Sequence, residues 1–156
     1  MKSRQTLIII LALRLFVGLF WLDHGLDKIN DGWLTKDHLK PRLVKKSLLA
    51  EEPRRTYLKR FAMPSRRILG VLVAIGETAV GVALICGYWM KPAAWGALFL
   101  VLNIKFAYGG LFSWDLFGSS TFFPLLTATW AAAYLQSGRD WTIKRFVPAL
   151  NRFEIP

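Results

Sequence analysis

Three ionisable side chains stand inside otherwise apolar stretches of this chain: Arg14 in "LALRLFVGLFW", Glu77 in "AIGETAVG" and Lys105 in "LNIKFAYGG". An ion held at the centre of a hydrocarbon layer costs at least about 2.5–3.5 kcal/mol, so each is expected to face other protein and meet a partner. Arg14 and Glu77 each lie about halfway along their apolar windows and are the expected pair. Two readings of that pair stay open. It is either a static ion pair that fixes helix register, or a site where Glu77 accepts and holds a proton beside a bound polar head group. Helical spacing extends the set, because Arg14, Gly18, Trp21, Gly25 and Lys28 recur every three or four residues and so share one helix face. Lys105, near Asn103 and Tyr108, either snorkels toward the membrane surface or joins Arg14 as a donor to an anionic or carbonyl-bearing ligand. Thr127 and Thr129 read as residues that hydrogen-bond within their helix.

The elements that must position these groups are membrane helices. The 156 residues are 54% hydrophobic and 20% charged, with a mean hydropathy of +0.34, a balance that points to a membrane protein, with a soluble helical bundle as the competing reading. Four apolar windows, Thr6–Leu22, Ile68–Met90, Ala93–Phe112 and Ser119–Leu135, each approach the length needed to cross roughly 30 Å of hydrocarbon. The expectation is an all-α integral membrane four-helix bundle, a single domain over 1–156 with spans near 6–25, 68–90, 93–112 and 119–136. The first window follows "MKSRQ" but is interrupted by Arg14 and lacks a small-residue cleavage site, so it reads as a retained helix rather than a signal peptide. Trp21, Trp33, Trp89, Trp95, Trp114 and Trp141 fall near proposed helix ends, where an amphipathic ring prefers the head-group level.

Between the first two spans lies a long basic amphipathic loop, 26–67. Its apolar residues Leu39, Leu43, Leu48, Leu49, Tyr57, Leu58 and Phe61 sit at roughly helical spacing, cut by Pro41, Pro53 and Pro64. That pattern describes short amphipathic helices lying on a membrane surface or against a partner protein. The formal net charge is +11, and Asp23–Arg67 alone holds twelve Lys or Arg against six Asp or Glu. Anionic lipid head groups or an acidic protein face account for this charge, and Lys45, Lys46, Arg54 and Arg55 are its expected docking residues. Nucleic acid is not an expected partner, since no aromatic-rich basic sheet or recognition helix is present. Cys86 is the single cysteine, which excludes an internal disulfide or dithiol relay. His24 and His38 provide neither a haem pair nor a zinc spacing, so no metal site is expected. Counting basic residues alone favours a cytoplasmic long loop, with twelve there against seven on the side of both termini, while the loop's bulk and the balancing of half its charge by acids leave the opposite orientation open.

"RLFVGLFWLDHGLDKI", "IGETAVGVALICGY" and "SGRDW" together resemble the DoxX family of small four-helix membrane proteins, which includes the DoxD subunit of thiosulfate:quinone oxidoreductase. The matching positions are Arg14, Gly25 and Lys28, then Glu77, Gly81 and Gly87, then Gly138 and Arg139. Two departures stand out: Lys144 lies where the family usually has an aspartate, and many members lack the long basic stretch. The resemblance implies a subunit of an electron-transfer or respiratory-type complex in a bacterial or archaeal cell membrane, at most a quinone-linked oxidoreductase, with both termini cytoplasmic. Its cofactor would be a diffusible quinone, with none covalently bound. Glu77 and Arg14 would then be the catalytic pair, Glu77 carrying the proton and Arg14 or Lys105 donating to a quinone carbonyl oxygen; Lys28, Trp21 and Lys105 would contact the quinone, at a site between Glu77 and Lys28, beside Trp21, in the loop-side half of the bundle. The competing reading is a purely structural subunit that stabilises a larger membrane complex and binds another subunit or lipid through its basic loop.

Overall fold

Arg4–Asn30 (α1) is one uninterrupted helix of 27 residues, about 40 Å long. In the computed structural model, which describes residues 4–109 and 122–135, α1 therefore continues past the expected end of the first span. It stops at Gly32, whose φ of 85° is open to glycine. There the Trp33 amide donates to the Lys28 carbonyl and the Gly32 amide to Ile29, both at 3.0 Å, closing the last turn. Lys28 is thus held on the terminal turn of a rigid helix.

Leu39–Leu48 (α2) and Arg54–Tyr57 (α3), the latter running into a π-helical turn at Leu58–Ala62, make up the basic segment. Arg66–Cys86 (α4) and Met90–Tyr108 (α5) follow, joined by a tight turn in which Gly87 takes a φ of 68°. Phe122–Leu135 (α6) is the last described helix, and no strand occurs among the described residues. By length and apolarity two described helices can cross a membrane, Ile8–Asn30 and Arg66–Cys86. Lys91, Asn103 and Lys105 dilute α5, and the described part of α6 has 14 residues.

The four long helices pack in a ring, α1 on α4, α4 on α5, α5 on α6 and α6 on α1. Their core includes Val17, Trp21, Val80, Leu84, Ala97 and Ala132. The tightest contact joins α1 to α4 through glycine. A Cβ on Gly81 would lie 2.5 Å from the Leu22 amide nitrogen, and one on Gly25 would lie 2.5 Å from that of Thr78. These contacts fix the antiparallel register, placing residue 22 beside 81 and residue 25 beside 78.

The basic segment does not stand apart from the helices. It folds back onto the ends of α4 and α5 and forms a second small core of Leu43, Ala50, Leu58, Ala62 and Ala107. The Tyr57 hydroxyl donates to Asn103 Oδ1 at 3.0 Å, and its ring meets Phe106 edge-on. Only part of the expected apolar face is used, since Leu48 and Leu49 are each 72% exposed. Leu43, Ser47 and Ala50 share the inward side, and the helical period turns Leu48 and Leu49 away from it.

Candidate functional site

The face shared by Arg14, Gly18, Trp21, Gly25 and Lys28 is the interior face of α1: the first four are buried and Lys28 is half-buried. These residues nevertheless do not converge on one site. The register that sets Gly25 beside Thr78 brings Lys28 to Glu77, and the Lys28 ammonium forms an ion pair and hydrogen bond with the Glu77 carboxylate. The expected approach of Arg14 to Glu77 is corrected by the same register. Arg14 lies about eleven residues, or roughly 16 Å, along α1 from Gly25, far beyond the reach of one side chain. It is buried at 3% exposure, toward the α4–α5 turn. Both residues sit halfway along their apolar windows, but α1 outlasts its window and the helices pair with an offset.

Glu77 is almost wholly enclosed, its side chain 2% exposed, whereas that of Lys28 is 21% exposed. Lys28 Nζ also donates to the His24 carbonyl oxygen at 3.3 Å. An ammonium has three N–H donors; Glu77 and His24 take two, which leaves the capacity for a third hydrogen bond. Nζ also lies 5.8 Å from the Trp33 ring centroid, within the range of a cation–π contact. The other cation over that ring is Arg42, at 5.5 Å, and His38 stacks on it with ring centroids 5.8 Å apart. Trp33 thereby links α2 to the ion pair. Sequence reasoning gave it only a place at the membrane surface; the available signal was its position one residue beyond the glycine that ends α1.

Trp21 is 2% exposed within the main core, and its indole N–H donates to Thr129 Oγ1 at 2.9 Å. Thr129 in turn donates to the Leu125 carbonyl at 2.7 Å, the intrahelical bond expected of it. Trp21 therefore ties α1 to α6, and its ring is covered by packing rather than open for stacking. Lys105 is half-buried in the last turn of α5. The contact of Gly76 with Leu100 sets residue 76 near the level of residue 100, which puts Lys105 toward the loop-side end, beyond Glu77. The structure thus brings Lys28 and Glu77 together, leaves Lys105 toward the same end, and separates Arg14 from them.

The basic docking set also divides. Lys45 and Arg55 are exposed, but Lys46 lies over the Tyr108 ring at 5.1 Å. Arg54 donates to the Leu49 carbonyl at 3.2 Å and packs against Gly109, whose φ of 85° and lack of a side chain leave room for the guanidinium. Outside the spans, Asp37 accepts from Arg66 Nε at 2.5 Å and from the Lys40 amide at 3.2 Å. Burial acts to raise its pKa, but the hydrogen bond and charge of Arg66, with smaller help from Lys40 and Arg67, hold it below the ordinary aspartate value. Burial raises the Tyr57 phenol, partly offset by its hydrogen bond to Asn103. No cluster of potential metal ligands occurs among the described residues. Trp114, Gly138, Arg139, Trp141 and Lys144 lie outside the described residues.

The family model described as DoxX matches residues 9–110, which include most of α1, the basic segment, α4 and α5. Comparison with curated proteins and with solved structures finds no match.

Proposed function

The chain belongs to the DoxX family, and from that premise we propose that it is an integral membrane subunit of an electron-transfer complex whose Lys28–Glu77 pair adjoins a quinone head group. In this reading the four long helices are four spans. The observation that carries it is the asymmetry of the pair, with a partly exposed lysine side chain backed by an enclosed carboxylate. Lys28 donates its remaining N–H to a quinone carbonyl oxygen, where negative charge develops on reduction. Glu77 holds the ammonium in place and exchanges one of the two protons that accompany the two-electron reduction or oxidation of the head group, the other being exchanged with water. Electrons come from a partner subunit, since the chemistry of these side chains offers no redox centre of its own. Purification in mild detergent, followed by mass spectrometry of co-purifying chains and quinone, tests the assignment. Partner subunits together with quinone are expected; a stable complex without quinone would contradict it.

A specific observation favours a second reading, in which the chain is a scaffold that touches anionic lipid. Lys45, Arg55, Lys59 and Arg60 are exposed alongside Leu48, Leu49 and Phe61, the composition of a surface that enters the head-group layer.

A further inference from the structure

Where the basic segment folds back onto the end of α5 there is a cavity of about 340 Å³, within the size range of small-ligand sites. Its lining includes Leu49, Glu51 and Glu52 from the α2–α3 connection, Arg54 at the start of α3, and Phe106 and Gly109 from the end of α5. Three of these residues are charged, yet no ion pair joins Arg54 to Glu51 or Glu52. Glu52 is held by Thr56, whose amide and hydroxyl donate to its Oε2 at 3.2 and 2.6 Å. Glu51 is exposed.

Arg54 is positioned by α5. A Cβ on Gly109 would overlap Arg54 Nη1, so the guanidinium occupies the space that the missing side chain leaves. Arg54 Nη2 donates to the Leu49 carbonyl at 3.2 Å, and its buried Nε has no hydrogen-bond partner. A guanidinium carries five N–H donors, so this one has capacity for an acceptor that the protein does not supply, and its fork suits a phosphate. A phosphate alone, however, would meet two carboxylates for one guanidinium. The ligand that balances this lining carries a cation beside its phosphate. Phe106 also connects the cavity to an apolar track, since Trp95, Phe99, Leu102 and Phe106 follow the helical period along one face of α5, about 16 Å long. The first three are exposed, and Phe106, half-buried, lines the cavity.

We propose that this cavity binds the head group of a phosphoethanolamine lipid, with its phosphate on Arg54, its ammonium on the carboxylates of Glu51 and Glu52, and its acyl chains along Phe106, Leu102 and Phe99. The inference rests on the reading of α5 as a span and not on the quinone. With 19 residues, α5 is about 28 Å long, close to the thickness of the hydrocarbon layer, so its last turn and the cavity lie at head-group level. Acyl chains there exchange one hydrocarbon surface for another, and discrimination between lipids falls to the head group. A primary ammonium has three N–H donors for carboxylates. A choline has none and is recognised by cages of aromatic rings, whereas the one ring in this lining, Phe106, already meets Tyr57 edge-on. An anionic head group lacks the cation and is repelled by Glu51 and Glu52.

The test is native mass spectrometry of the full-length protein in detergent, offered an equimolar mixture of phosphatidylethanolamine, phosphatidylcholine and phosphatidylglycerol with identical acyl chains. Phosphatidylethanolamine is expected to be retained severalfold over each of the others. Glu51→Gln combined with Glu52→Gln should reduce its retention to that of phosphatidylcholine. Arg54→Met should lower it about tenfold or more, the loss of a charged hydrogen bond, while Lys45→Gln with Arg55→Gln, which changes exposed cations outside the cavity lining, should leave the preference intact. Thermal melting confirms that each variant is folded; the glutamine pair, at exposed positions, decides the matter should Arg54→Met not fold. Free O-phosphoethanolamine at the concentration of the lipid should not displace it, and displacement would assign the cavity to a soluble amino phosphate instead. Equal retention of phosphatidylcholine would overturn the role of the carboxylates. Stronger retention of phosphatidylglycerol would make the cavity an anionic-lipid contact, and an undiminished preference in the glutamine pair or in folded Arg54→Met would place the lipid elsewhere on the chain.

Discussion

Gly81 on α4 lies against the backbone of Leu22 on α1 so closely that a Cβ would stand 2.5 Å from the Leu22 amide nitrogen. This contact, with its counterpart between Gly25 and Thr78, sets the offset of the two helices and so decides that Glu77 meets Lys28. Gly25→Ala and Gly81→Ala should each force backbone against backbone and lower stability by about 1–3 kcal/mol. Gly96, where an added Cβ meets nothing within 4 Å, is the control. Gly96→Ala should be neutral or stabilise by about 0.5–1 kcal/mol through helix propensity. Thermal melting in detergent separates the cases, and equal effects at all three positions would refute the role assigned to close approach.

Lys28 and Glu77 should be strongly coupled. Lys28→Met strands an enclosed carboxylate and is expected to cost about 3–5 kcal/mol, whereas Lys28→Met combined with Glu77→Met should cost less than the sum of the single changes. A double-mutant cycle read by melting measures the coupling. Simple additivity would mean that the pair contributes nothing specific.

The docking of α2 should depend on pH through Asp37. Its folded pKa is lowered, so its contribution is fully present above the ordinary aspartate value and is lost as pH falls through the lower folded value. Protection factors for amide exchange across Leu39–Leu48, corrected for the intrinsic rate at each pH, should therefore fall on acidification through that range. Asp37→Asn should show faster exchange at neutral pH already, and unchanged exchange there would assign the docking to the apolar contacts alone.

Much of the architecture was legible because it depends on period and composition. The recurrence of Arg14, Gly18, Trp21, Gly25 and Lys28 identifies the interior face of α1, and Lys28 and Glu77 both stand out in the sequence as candidate site residues. That Lys28 rather than Arg14 is the ion-pair partner of Glu77 was not legible. Residues at the midpoints of two apolar windows meet only if the helices begin and end together, and here α1 runs on to Asn30 while glycine contacts set the offset. The choice of Leu43 and Leu58 over Leu48 and Leu49 for burial likewise depends on which side of α2 meets α4 and α5. Trp21 illustrates a further limit. Its spacing showed the face it shares, but only packing reveals that α6 covers that face and that Thr129 takes its N–H.

The central claim is that the remaining N–H of Lys28 holds a quinone carbonyl. It is tested most directly by photolabelling the assembled protein with a photoreactive quinone in wild type, Lys28→Arg, Lys28→Met and Glu77→Gln. Labelling is expected on peptides around His24–Trp33, to persist in part with Lys28→Arg, and to fall about tenfold or more with Lys28→Met, the loss of one charged hydrogen bond. Glu77→Gln should retain quinone binding better than quinol turnover, because it removes the proton acceptor and keeps the shape. Full labelling and full turnover in Lys28→Met and Glu77→Gln would place the quinone on another subunit and contradict the account.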